Sequence, residues 1–272
     1  MNNPLMPKQV RTSHLAGFKQ TGQKFSCLTS YDQLTASIFD EAGIEVILVG
    51  DSAADNALGY ETTLPISVEE IIPFGRAVAG AVSRGLVVVD MPFGSYELGP
   101  EQALENAIRI MKQTGADAVK LEGGTRSAEQ IKAITTAGIP VMAHIGFTPQ
   151  SVNNLGGFKV QGRGDGADAL IADAAAVDAA GAFAVVLELV PAELAKEITS
   201  IFAIPTIGIG AGPDTDGQIL VWTDFAGLSA HKPKKFVKQY AQLRATLIEA
   251  AQSYRNEVLD GTFPEASRSF ED

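Results

Sequence analysis

Short apolar runs recur along the chain, and each is separated from the next by a segment of different period. The runs are FSCLTS (25–30), VILVG (46–50), LVVVD (86–90), AVKLE (118–122), PVMAHI (140–145), AVVLE (184–188) and PTIGIG (205–210), with QILVWTD (218–224) as a weaker eighth. Between them, DQLTASIFDEAG, SVEEIIPFGRAVAGAV, PEQALENAIRIMKQTG, SAEQIKAITTAG, GADALIADAAAVDAAG and PAELAKEITSI carry the spacing of amphipathic helices. Several of these open on Asp, Ser or Pro and several close on Gly, the expected start and stop signals. DEAGIEV, KQTGADAV, TTAGIPV and DAAGAFAV each read as helix end, glycine, then strand. A last helix is expected over roughly 232–257, its start lying in the basic run KPKKFVK, and a poorly ordered polar tail, LDGTFPEASRSFED, after it.

Runs that are apolar throughout suit strands covered on both faces, and so a parallel sheet. Repeated β-α units over the whole length predict a single (β/α)8 TIM barrel spanning 1–272, with a short N-terminal extension and a polar C-terminal tail. A doubly wound open sheet is the alternative. No G-x-G-x-x-G follows an early strand, which weakens a dinucleotide-binding reading.

Composition narrows the partners. The 272 residues are 46% hydrophobic and carry a net charge of −11, enough apolar content for a large core and too little cationic excess for nucleic acid or an anionic membrane surface. The one cysteine, Cys27, allows no intramolecular disulfide and sits in an apolar run, so it reads as a small buried residue in a reducing compartment. The first twenty residues lack the apolar core of a signal peptide, and no run approaches the about 20 residues of a membrane span. A soluble, cytoplasmic protein is expected.

Candidate chemistry lies at the ends of the apolar runs: Asp51 and Ser52, Asp90, Lys120 and Glu122, His144, and Glu188. In a barrel these ends converge on one mouth. Taken singly, each has a plain explanation as a helix cap, a core histidine or a buried ion pair. Four acids at four dry strand ends are a different matter, because such a cluster is costly unless cations compensate it. Aspartates with few Cys or His suit a hard cation such as Mg²⁺; zinc is disfavoured, since His and Cys lack ligand spacing. A cation with open positions can chelate a 2-oxo acid and favour its enolate, with Glu122 or Glu188 as the base.

The ordered phrases VGDS (49–52), LGYETTLP (58–65), DMPFGSY (90–96), VKLEGG (119–124), HIGFTPQSV (144–152), GGFKVQGR (156–163), LELVPAELAKEIT (187–199) and IGIGAGPDTDGQILV (207–221) closely resemble the ketopantoate hydroxymethyltransferase family. The resemblance runs from about residue 8 to 260, and HIGFTPQSV with GGFKVQGR is its most specific part. It implies a phosphoenolpyruvate/pyruvate-like barrel in which Asp51 and Asp90 hold Mg²⁺ and Glu122 is an outer ligand. It further implies that Ser52 and Lys120 bind the carboxylate of the keto acid, His144 contacts it and Glu188 is the base. The implied reaction transfers a hydroxymethyl group from 5,10-methylenetetrahydrofolate to 3-methyl-2-oxobutanoate, giving 2-dehydropantoate for pantothenate biosynthesis. A homo-oligomer, usually a decamer of two pentamer rings, belongs to the same implication.

The chain departs from the family pattern after VGDS, where Ala54, Asp55 and Asn56 replace expected glycine and apolar residues. Asp55 reads as a turn or cap residue. GIGAGPDTDG suits either a phosphate cradle or a tight turn near the mouth, and the turn is favoured because the family's keto acid carries no phosphate. Two rivals stand beside the transferase: a Mg²⁺-dependent 2-oxo acid lyase of the same superfamily, and a barrel that binds a metabolite without turning it over.

Overall fold

A computed structural model describes residues 7–270; the first six residues and the last two of the polar tail lie outside the described residues. The apolar runs form β1 (Phe25–Thr29), β2 (Val46–Val49), β3 (Leu86–Asp90), β4 (Ala118–Glu122), β5 (Val141–Gly146), β6 (Ala184–Glu188), β7 (Thr206–Ile209) and β8 (Gly217–Leu220). All pair in parallel in chain order, and β8 closes on β1 through Phe25↔Gly217 and Cys27↔Ile219. The closed barrel excludes the doubly wound alternative, because an open sheet would leave two edges.

The intervening segments form α1 (Thr12–Thr21), α2 (Gln33–Ala42), α3 (Ala53–Asn56), α4 (Val68–Ala81), α5 (Pro100–Thr114), α6 (Ala128–Thr136), α7 (Val152–Leu155), α8 (Gly166–Ala179) and α9 (Ala192–Ile201). Asp32 caps α2 by accepting from the Leu34 and Thr35 amides, and Ser67 with Glu70 forms a capping box on α4. Gly43, Gly115, Gly138 and Gly181 end their helices at φ of 90°, 78°, 87° and 89°, the left-handed region where a side chain would be strained.

The strands are dry on both sides, so period 2 is invisible in their sequence yet governs the interior. Leu86 and Val88, Ala118, Met142, Ala184 and Val186, and Ile207 share one cluster with Phe25, Cys27 and Ile219. Leu15 and Phe18 of α1 join it, the Phe18 ring lying 6.2 Å from that of Phe25, so α1 closes the end of the barrel where the strands begin. The same alternation, continued up the strands, turns Asp90, Lys120, Glu122, His144 and Glu188 inward at the opposite end. Cys27 is buried as expected, and burial pushes its thiol well above the usual range.

Three local expectations change. Residues 12–21, given no element in the sequence reading, form α1. The GIGAGPDTDG segment extends beyond the tight turn expected of it. Residues 210–216 run back along the barrel and connect β7 to β8 without a helix, and Asp216 anchors the return by accepting from the Thr206 amide (2.8 Å) and from Lys19 Nζ (2.9 Å). The last strand stops at Leu220, because residues 222–225 turn into a short helix.

A second compact unit begins at Trp222 and contains α10 (Trp222–Phe225) and α11 (Leu243–Leu259). The basic run does not start a helix: α11 begins only at Leu243. Cations at a helix N-terminus oppose the macrodipole, and Tyr240 instead donates its amide to the Phe225 carbonyl and stacks on the Phe225 ring at 5.2 Å. In the polar tail, Ala266–Arg268 forms a single 3₁₀ turn. Among the described residues no helix is long and apolar enough to cross a membrane.

Candidate active site

Asp90 and Lys120 are register partners on β3 and β4, and Glu122 and His144 are register partners on β4 and β5. Strand pairing therefore delivers a carboxylate against an ammonium, and beside it a carboxylate against an imidazole. Lys120 Nζ lies 2.7 and 2.6 Å from the two oxygens of Asp90. Asp51 follows β2 in a turn; its amide donates to Asp90 Oδ2 at 3.2 Å. His144 Nδ1 is 3.4 Å from Glu122 Oε1, and Nε2 is 3.2 Å from Glu188 Oε2. Both contacts are at ion-pair distance without hydrogen-bond alignment, so both imidazole nitrogens and Glu122 Oε1 are buried with no hydrogen-bond partner.

The electrostatics follow from burial. Loss of water pushes Asp90 up to about 7; Lys120 pulls it down, and Asp51 and Glu122 push it further up. Burial works against the Lys120 charge, but Asp90, Glu122 and Asp51 outweigh it and hold the amine charged. Glu122 is raised by burial, against the pull of His144 and Lys120. Burial and Lys120 both disfavour a charged His144, yet Glu122 and Glu188 raise it to about 9.

Four acidic side chains (Asp51, Asp90, Glu122 and Glu188) thus share the site with Lys120 and His144, and all six residues are at most 8% exposed. The acids outnumber the basic groups, an excess that a bound cation would offset. Asp51 and Asp90 adjoin through the Asp51 amide, and Glu122 Oε1, without a hydrogen bond, lies 3.4 Å from His144 Nδ1. Among the described residues no group of three His, Cys, Asp or Glu forms a ready metal cage. That pattern fits Mg²⁺, which is commonly bound by one or two carboxylates and completed by substrate oxygens and water. The residues present therefore suit the ion that the resemblance implies.

Ser52 sits at the start of α3, its hydroxyl 2.7 Å from that of Tyr31. Asp55, in the first turn of α3, is exposed and accepts from the Asn56 amide group at 2.9 Å. Glu188 is held by its neighbours' backbone. Gly146 lies opposite it on β5, and a Cβ there would come within 2.4 Å of the Glu188 carbonyl oxygen. Leu189, next in the chain, has φ of 49°, a conformation that costs a side-chain-bearing residue on the order of 1–3 kcal/mol. The strained residue directly follows Glu188.

Residues 9–266 match the ketopantoate hydroxymethyltransferase family. The chain belongs to that family. It is 61% identical over 264 residues, 97% of this chain and 95% of the relative, to 3-methyl-2-oxobutanoate hydroxymethyltransferase of Leifsonia xyli. It is 60% identical over 262 residues, 96% and 93% of the two chains, to the enzyme of that name from Mycobacterium tuberculosis strain H37Rv. Like those relatives, this member of the ketopantoate hydroxymethyltransferase family is an enzyme of the transferase class.

Solved structures place the fold more widely. Phosphonopyruvate hydrolase, solved in complex with oxalate and Mg²⁺, superposes with a TM-score of 0.62 at 14% identity, covering 97% of this chain and 92% of its own. 2,3-Dimethylmalate lyase, a phosphoenolpyruvate mutase/isocitrate lyase superfamily member, gives 0.59 at 14%, covering 96% and 91%. At such identity the likeness is one of fold.

The sequence reading missed the side chains that tie these groups together. Gln150 donates from Nε2 to Asp51 Oδ2 and from its amide to Glu122 Oε2, both at 3.0 Å, and the Tyr96 hydroxyl donates to Gln150 Oε1. Both residues stand inside phrases that carried the resemblance, DMPFGSY and HIGFTPQSV, but neither ends a strand, which was the signal used to select candidates.

Proposed function

We propose that the site transfers a hydroxymethyl group from 5,10-methylenetetrahydrofolate to 3-methyl-2-oxobutanoate, giving 2-dehydropantoate and tetrahydrofolate in pantothenate biosynthesis. One observation carries the reading: four buried acidic side chains gathered with Lys120 at one mouth of the barrel, with Glu188 3.2 Å from the His144 ring. Family membership supplies the substrate.

Asp51 and Asp90 would hold Mg²⁺, with Glu122 as an outer ligand. When bound, the ion would draw electrons from the ketone and make the C3 proton easier to remove. Lys120 and the Ser52 hydroxyl bind the carboxylate of the keto acid, and Tyr31 orients that hydroxyl. Glu188 takes the C3 proton, and His144 beside it favours the charged form of the base while contacting the substrate. The enolate carbon then bonds to the folate methylene as the bond to one folate nitrogen breaks; water supplies the hydroxyl as the bond to the other breaks, and the two nitrogens take up the C3 proton and one water proton to leave as tetrahydrofolate. The depth of the site keeps bulk water from the enolate.

The enzyme acts on small molecules in the cytoplasm as a homo-oligomer, a decamer on the family pattern. An apolar stripe on α11 supports association: Leu243, Leu247, Tyr254 and Val258 share one side and are 37–58% exposed.

Proton NMR of 3-methyl-2-oxobutanoate in D₂O tests the reading directly. The C3 signal is expected to disappear with enzyme and Mg²⁺, to persist after chelation, and to give way to product when the folate is added. Persistence under every condition would overturn it.

A further inference from the structure

We propose that Gln150 is a positioning residue for the reaction, a clamp that sets the directions of the Asp51 and Glu122 carboxylates. The inference rests on the function proposed above.

The side chain is 5% exposed, and every polar atom of Gln150 beyond its own carbonyl is matched to a partner. Nε2 donates to Asp51 Oδ2 and to the Met91 carbonyl, each at 3.0 Å. Both partners only accept, so the amide can face them only through its nitrogen. Oε1 then faces the Tyr96 hydroxyl. That hydroxyl accepts from the Glu122 amide at 3.3 Å, leaving its own proton for Gln150. The Gln150 amide returns to Glu122 Oε2 at 3.0 Å.

The contacts close a ring, Glu122 to Tyr96 to Gln150 and back to Glu122, with one branch to Asp51. Its members come from the chain ends following four successive strands, β2 to β5. Asp51 Oδ2 and Glu122 Oε2 are thus both engaged by Gln150, while Glu122 Oε1 makes no hydrogen bond and lies 3.4 Å from His144 Nδ1. One side chain thus fixes one oxygen of each carboxylate, and with it the direction of the other. Groups that orient ligating carboxylates in this way commonly change metal affinity or activity by about 10–100-fold when replaced.

Gln150→Glu keeps the shape and the Tyr96 partner but sets a second carboxylate oxygen against Asp51 and the Met91 carbonyl. Tyr96→Phe removes the hydroxyl that donates to Gln150 Oε1 and accepts from the Glu122 amide. The readouts are Mn²⁺ affinity of the substrate-free oligomer by electron paramagnetic resonance, C3 exchange of the keto acid in D₂O, and the thermal midpoint. Gln150→Glu is expected to weaken Mn²⁺ binding and to slow C3 exchange, each by about 10-fold or more. Tyr96→Phe should shift both in the same direction by less. If both variants change the thermal midpoint alone, with Mn²⁺ affinity and exchange as in the parent protein, Gln150 is a packing residue and the proposal fails. A parent protein without metal-dependent exchange would instead overturn the function proposed above.

Discussion

Lys120 Nζ spans both carboxylate oxygens of Asp90, at 2.7 and 2.6 Å, across the register pair that joins β3 to β4. Both side chains are buried, so removing Lys120 takes away the cation beside Asp90 and leaves its carboxylate with the Asp51 amide. Lys120→Met is expected to lower stability by about 3–5 kcal/mol in urea unfolding under chelating conditions, the usual cost of breaking a buried pair. Adding Asp90→Leu to it should recover most of the loss. A single variant within about 1 kcal/mol of the parent would show that the pair is weakly coupled.

Glu188 stands at the end of β6 with His144 Nε2 3.2 Å from its carboxylate. Glu188→Gln keeps the volume and removes the base. C3 exchange in D₂O should slow by about 10²–10⁴-fold. Binding of the keto acid, followed by calorimetry, should stay near the parent value. Exchange at the original rate would assign the base elsewhere, with Glu122 first in line.

Asp40, near the end of α2, accepts from the Ser83, Arg84 and Gly85 amides at 2.9, 3.1 and 2.7 Å and from the Ser83 hydroxyl at 3.0 Å. Burial works against its charge, but these bonds prevail and hold its pKa below the ordinary value. The unfolded chain therefore takes up the proton first. The stabilisation is complete above the ordinary carboxylate pKa of about 4 and is lost as pH falls through the lower folded value. Asp40→Asn is expected to cost about 1–3 kcal/mol at neutral pH. Its gap from the parent should close in acid; a gap independent of pH would exclude the linkage.

Leu247 lies in the apolar stripe of α11 and is 56% exposed. A second copy of this chain is the expected cover. Leu247→Asp should reduce the assembly mass measured by light scattering, while the barrel's circular dichroism stays unchanged. An unaltered mass would remove α11 from the interface.

Strand positions were legible because burial on both faces writes continuous apolar runs, and LVVVD, AVKLE and AVVLE match β3, β4 and β6 residue for residue. The acids were legible because a charged residue ending such a run is costly without a purpose. Gln150 and Tyr96 were not, since a neutral polar side chain in a loop carries no such penalty in sequence; its partners exist only in three dimensions. The basic run 232–238 starts no helix, because Lys clusters oppose a helix N-terminus. The return at 210–216 was hidden as well. A glycine-rich segment reads as a turn whatever distance it covers, and what anchors it is the far contact between Asp216 and Lys19.

The alternation that stacks Val88 beneath Asp90 and Met142 beneath His144 also leaves these strands no intermediate outcome when folding errs. A slip of one position would turn Val87, Val89 and Met91 inward and expel Leu86, Val88 and Asp90 together. The core and the chemistry would be forfeited in one step. A misregistered copy would therefore be unstable as well as inactive, and cellular proteolysis, which selects on stability, would clear the same molecules that cannot turn over substrate.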